Sequence, residues 1–192
     1  MRRVGRRFGW IVTALAVAAL ASPSSAARAD PATLLKPLEL SPYRAGTVPP
    51  HFSGPTLDGR PLALSDLRGR VVLVNFWASW CLECRPEMPV LQRLHRELAP
   101  RGLAVVGINA REKNDTVRRY ATELGLTFPL VLDPDGRINA QFGVIGLPTT
   151  FLVGRDGRAV AFAIGPREWA GAQARALFDA LLAEPPGPSS TR

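Results

Sequence analysis

The run RVVLVNFWASWCLECRPEMPVLQRLHREL, residues 70–98, decides how this chain folds. Its opening, Arg70 to Phe76, is a short apolar stretch rich in Val, as expected of a strand buried on both faces. Further on, Met88, Leu91, Leu94 and Leu98 recur at helical spacing, so a helix is predicted from about Cys81 to Leu98. At the junction stand the only two cysteines in the chain, Cys81 and Cys84. A cysteine where a buried strand hands over to a helix meets unpaired N–H groups and the positive end of the helix dipole, both of which favour a thiolate. Cys84 falls one turn further on the same helical face, within reach of a mixed disulfide formed at Cys81. The position predicts that Cys81 attacks and Cys84 resolves.

Other uses of two close cysteines fit less well. A crosslink across two intervening residues closes too small a loop to stabilise a fold much. Structural zinc needs four ligands, and the chain adds only His51 and His95, which are not in a paired spacing. Covalent haem attachment requires His directly after the second cysteine, where Arg85 stands. Copper-delivery proteins of the Sco kind use a longer cysteine spacing with a later His, and a peroxidase would carry Thr at position 78, which is Ala78. No metal or other cofactor is expected.

Outward from this stretch, FSGPTLDGRPLALSDLRG reads as a β-hairpin turning at Asp58-Gly59. LAVVGIN (103–109) is a second buried strand, followed by a helix from Thr116 to Leu124. FPLVLD and a short helical piece at 138–142 lead to TTFLV (149–153). That strand turns at 155–158 into AVAFAIG, and Glu168 to Leu182 makes the last helix. Strand–helix–strand units closed by a hairpin and a helix describe an α/β sandwich, with a mixed sheet covered on both faces.

The ends of the chain are different. Residues 1–29 carry five arginines and no acid, an apolar run of 12 (Trp10 to Ala21) and the small-x-small signature Ala27-Arg28-Ala29. They read as an export signal, with an uncleaved membrane anchor as the alternative; the run is short for a span, which needs about 17 residues or more. Without this segment the formal charge of +8 falls to 19 basic against 16 acidic residues, and no basic run with interleaved aromatics remains to suggest nucleic-acid binding. Residues 30–48, rich in Pro and without periodicity, read as a tether; 49–184 form the domain, and 185–192 a disordered tail. Export takes the dithiol away from the cytosolic reducing pools, so it needs a dedicated electron donor or works as an oxidant.

Trp80-Cys81-x-x-Cys84 after an apolar strand, Pro89 five residues later and Gly146-Leu-Pro-Thr-Thr150 together resemble the thioredoxin fold, specifically its exported TlpA-like or ResA-like branch. The resemblance covers residues 49 to 182. It implies a three-layer α/β/α sandwich with a mixed central sheet and an N-terminal β-hairpin, and a thiol–disulfide oxidoreductase, usually a reductase, with several members serving cytochrome c maturation. It implies client proteins carrying disulfides, a membrane thiol electron donor and a monomeric enzyme. Carried over by position, Cys81 is the attacking and Cys84 the resolving cysteine, and Trp80 flanks the site. Pro148 is a cis-proline facing the dithiol, the preceding Leu147 offers backbone groups to an extended client, and Thr149 is counted with them among the substrate-binding residues. Glu87 matches an acid held beside the active site; by helix position alone it reads equally as a solvated first-turn acid. Where the wider family has an acid at the end of the central strand, this chain has Asn75. Glu83 and Glu87 lie within one and a half turns of Cys81, where negative charge raises a thiol pKa and favours a reductant. A disulfide-forming oxidant and a non-catalytic binding module are the rival readings.

Overall fold

The computed structural model describes residues 30–185. Its centre is a six-stranded sheet in the order β1-β8-β7-β4-β5-β6. Strands β4 (Val71–Trp77), β5 (Leu103–Ala110) and β6 (Leu130–Asp133) run parallel, while β7 (Thr149–Val153) and β8 (Ala159–Ile164) return antiparallel to make the sheet mixed. A separate hairpin of β2 (Ser53–Pro55) and β3 (Pro61–Ala63) turns at Asp58-Gly59 as expected and bridges to the β6 edge through Thr56 and Val131.

Every residue of β4 and β5 is buried, which accounts for their unbroken apolar sequence. Alternation sorts them between two cores. Val71, Leu73 and Trp77 face α1 (Cys84–Leu98), α2 (Asn114–Glu123) and α4 (Ala172–Ala183); Val72, Val74 and Phe76 face Phe52, Leu64, Leu67 and the short α3 (Arg137–Gln141). Trp77 crosses β5 at Gly107, where an added Cβ would lie 2.8 Å from the indole nitrogen. Only glycine leaves room there.

Helix boundaries differ from the expected ones for local reasons. α1 begins at Cys84 rather than Cys81, because the Cys81 N–H closes a turn onto Ala78 O at 3.2 Å and residues 81–83 precede the helix. Pro86 sits in the first turn, where no N–H is needed, and Pro89 lies within the helix. α4 begins at Ala172 because Gly171 adopts extended backbone as its N-cap.

The tether expected at 30–48 is packed onto the body. Leu35, Leu38 and Leu40 are buried in the core beside α4, and β1 (Ser41–Pro42) adds an edge strand to β8. Prolines that break periodicity here open the 3-10 turns Pro31–Leu34 and Lys36–Leu38, and the winding of these turns brings Leu35, Leu38 and Leu40 to the core. The expected export signal and nearly all of the expected tail lie outside the described residues.

Candidate active site

β4 ends at Trp77, and the chain passes through Ala78-Ser79-Trp80 into the dithiol. Cys81 and Cys84 are joined by a disulfide. Cys84 is fully buried, whereas Cys81 retains 6% exposure. The backbone N–H of Cys84, the first residue of α1, donates to Cys81 Sγ at 3.1 Å. The helix N-terminus thus acts on the first sulfur, although that cysteine stands three residues before the helix.

One turn into α1, Glu87 is buried, with 4% exposure, so it is not the solvated first-turn acid. Its carboxylate accepts three hydrogen bonds: from Trp169 Nε1 at 2.6 Å, from the Arg167 backbone N–H at 3.2 Å and from Asn75 Nδ2 at 3.0 Å. Burial pushes its pKa up, and these donors, with the Arg167 charge, pull the other way without cancelling the effect of burial. Asn75, the residue standing where the wider family has a strand acid, also donates to Thr150 Oγ1 at 2.9 Å. The buried acid therefore comes from α1 instead of β4. Nothing in the sequence placed Thr150 or Trp169 beside Glu87; the signal available was a lone polar residue, Asn75, inside an apolar strand on the α1-facing side.

Glu83 occupies the N-cap position of α1, exposed and without a side-chain capping bond. Solvent screens its charge. Trp80, next to Cys81 in the chain, is 66% exposed, and Leu82 is 86% exposed. The Leu147–Pro148 peptide is cis. The Pro148 carbonyl accepts from Gly165 N at 2.8 Å, and Thr149 Oγ1 donates to Gly146 O at 2.7 Å. Two further apolar side chains belong to this neighbourhood and were not singled out in the sequence. Ile145 is 86% exposed in the turn leading to Leu147, and the half-exposed Ile164 pairs in register with Thr149.

On the other side of the dithiol loop, Glu112 accepts from Ser79 N, Ser79 Oγ and Asn109 Nδ2. Among the described residues, no group of three or more His, Cys, Asp or Glu side chains is placed to hold a metal ion.

The AhpC/TSA family profile matches residues 45–161. A thiol-disulfide oxidoreductase ResA of Bacillus thuringiensis is 35% identical over 120 residues, covering 62% of this chain and 69% of its own. The thioredoxin-like protein YneN of Bacillus subtilis is 43% identical over 115 residues, or 58% of this chain and 66% of its own. Among solved structures, a putative thiol:disulfide interchange protein DsbE from Chlorobium tepidum aligns with a TM-score of 0.65 at 31% identity, covering 71% of this chain and 96% of its own. StoA from Bacillus subtilis aligns at 0.57 with 27% identity, over 67% and 97% of the two chains. With its family profile matched over residues 45–161 and a disulfide-forming Cys-x-x-Cys pair at the head of α1, the chain belongs to the AhpC/TSA family, within the thioredoxin superfamily, and is a thiol–disulfide oxidoreductase.

Proposed function

We propose that this oxidoreductase reduces disulfides in client proteins outside the cytosol, with Cys81 as nucleophile and Cys84 as resolving thiol. The observation that carries the reading is the asymmetry of the pair: Cys81 keeps some exposure and receives the Cys84 N–H, while Cys84 is sealed beneath it. In the reduced enzyme the Cys81 thiolate attacks one client sulfur, forming a mixed disulfide and releasing the other client sulfur as a thiolate. The Cys84 thiolate then attacks Cys81 Sγ, closes the Cys81–Cys84 disulfide and frees the second client thiol. Two electrons pass to the client, and an external dithiol must return them.

Glu87 supports the reducing direction. A carboxylate buried one turn from the dithiol disfavours a second negative charge nearby, so the reduced pair is not stabilised as thiolate to the degree that makes a strong oxidant. Glu83 contributes less, being exposed. Trp80, Leu82, Ile145 and Ile164 are exposed apolar side chains available to a client segment, and Leu147, at the cis bond to Pro148, is the residue whose backbone groups pair with it in a strand-like way. The N-terminal export segment and the kinship with ResA-type proteins support an extracytoplasmic site of action, a membrane thiol carrier as electron donor and cytochrome c maturation as the process served. The unit is a monomeric domain over 49–184, extended at its front by the packed 30–48 segment.

Trapping with Cys84→Ser tests the roles and the client together, because the protein then stays joined to its client through Cys81 for identification by mass. Equilibration with glutathione tests the direction. A midpoint near the roughly −270 mV of thioredoxin is expected, and a value above about −150 mV would establish an oxidant instead.

A further inference from the structure

We propose that Glu112 is a positioning residue for thiol–disulfide exchange, holding the Ser79–Cys81 loop where Cys81 Sγ meets the Cys84 N–H. The proposal rests on the reading of Cys81 as the nucleophile.

The carboxylate grips Ser79 with both oxygens. Oε2 accepts from the Ser79 backbone N–H at 2.8 Å, and Oε1 accepts from its hydroxyl at 2.5 Å. Oε2 also accepts from Asn109 Nδ2 at 2.7 Å. Asn109 is fully buried at the end of β5, in register with Trp77 on β4, so the clamp is tied to the two central strands. Two carboxylate oxygens and three donors make a bidentate, charge-assisted set that fixes the direction as well as the position of the loop.

The chain conformation that delivers Glu112 is itself unusual. Arg111 has a left-handed backbone, with φ of 60°, a region that non-glycine residues occupy only when their surroundings enforce it. Here the Arg111 N–H donates to Asp133 O at 3.0 Å, and its guanidinium lies over Gly136, where a Cβ would collide with it. β5 therefore leaves the sheet through a constrained turn whose next residue points back at the dithiol loop. The constrained turn and the three-donor clamp together fix where Glu112 stands relative to Ser79.

From Ser79 the constraint passes along the backbone. The Cys81 N–H closes onto Ala78 O at 3.2 Å, which leaves Cys81 Sγ facing the Cys84 N–H at 3.1 Å. In the reduced enzyme that N–H favours the thiolate only while the loop keeps the sulfur in line with it. Glu112 contacts neither sulfur, so its effect runs through the loop.

The test uses the full chain with Ser79→Ala, Glu112→Gln and the double variant. After reduction, iodoacetamide alkylation of Cys81 at pH 7 is timed, and kcat and KM are measured for disulfide reduction. Each single variant should slow alkylation about fivefold to tenfold, the net worth of one ordinary hydrogen bond, and the double variant should be no slower than the slower single. kcat should fall with KM unchanged, and Ser79→Thr, which keeps the hydroxyl, should recover the rate. Faster alkylation in Glu112→Gln with no change in Ser79→Ala would mean that Glu112 acts only as a charge, and would overturn the proposal. So would a lowered Tm in both variants at an unchanged rate. Mass mapping keeps the underlying reading separate: label on Cys84 in place of Cys81 overturns the nucleophile assignment, whereas label on Cys81 at unchanged speed overturns only the role of Glu112.

Discussion

Trp169 Nε1 donates to Glu87 Oε1 at 2.6 Å, joining two buried side chains 82 residues apart across the gap between α1 and the turn that precedes α4. The contact makes the turn before α4 part of the surroundings of the dithiol helix. Replacing Trp169 by Phe keeps most of the ring volume and removes the donor. Chemical unfolding at neutral pH should show a loss of about 1–3 kcal/mol, and the Glu87 pKa should rise further, because one of the donors opposing burial is gone.

The raised pKa of Glu87 sets the sign of a pH effect. Its ordinary value is 4.5, and burial lifts it in the fold, so the folded protein binds this proton more tightly than the unfolded chain. The associated stability is fully present below about pH 4.5 and is lost as pH rises through the folded-state pKa. Glu87→Gln has no such proton to lose. Thermal melts from pH 4 upward should therefore show the variant gaining on the wild type with increasing pH; a constant gap would mean that Glu87 titrates at its ordinary value.

Exchange of the two cysteines for serine should be asymmetric. Cys84→Ser is expected to accumulate a mixed disulfide with a disulfide substrate, and Cys81→Ser to remain inert, since its remaining sulfur is fully buried. Non-reducing gels after incubation with an oxidised client read this directly. Equal trapping by the Cys81→Ser protein would reverse the roles.

Charge placed on the exposed apolar side chains should act on protein clients alone. Leu82→Asp combined with Ile145→Asp changes two side chains that are each 86% exposed and leaves the core untouched. KM for a protein client should rise about tenfold, as for loss of a buried apolar anchor, with little change in the reaction with a small disulfide. Parallel loss with both substrates would place these residues in the chemistry.

Leu38→Ala tests the packing of the N-terminal segment. The side chain is 5% exposed in the core beside α4. Its truncation should destabilise the domain by about 2–5 kcal/mol. A slack tether would lose nothing.

Much of this fold could be read from residues 52–164, because buried strands with an apolar run and a hairpin with its turn signal carry their own signature. TTFLV at Thr149–Val153 is an example in which sequence and strand coincide. The 30–48 segment was opaque because its leucines are brought to the core by short 3-10 turns, which leave no 3.6-residue period to detect. In the site, Cys81 and Cys84 announce themselves by spacing. Glu87, by contrast, becomes a buried acid only through Asn75, Trp169 and Arg167, which lie 12, 82 and 80 residues away in sequence. Glu112 is hidden in the same way, its partner Ser79 being 33 residues distant.

Because Leu35, Leu38 and Leu40 are held in the core, the chain has little slack at its front. Were the apolar run at Trp10 to Ala21 kept in a bilayer, only the eight residues 22–29 would separate it from Asp30, where packed structure begins. Fully extended, eight residues span at most about 29 Å. The domain would then work on a short leash, able to reach a donor embedded in the same membrane and clients close to its surface, and out of range of soluble proteins further away.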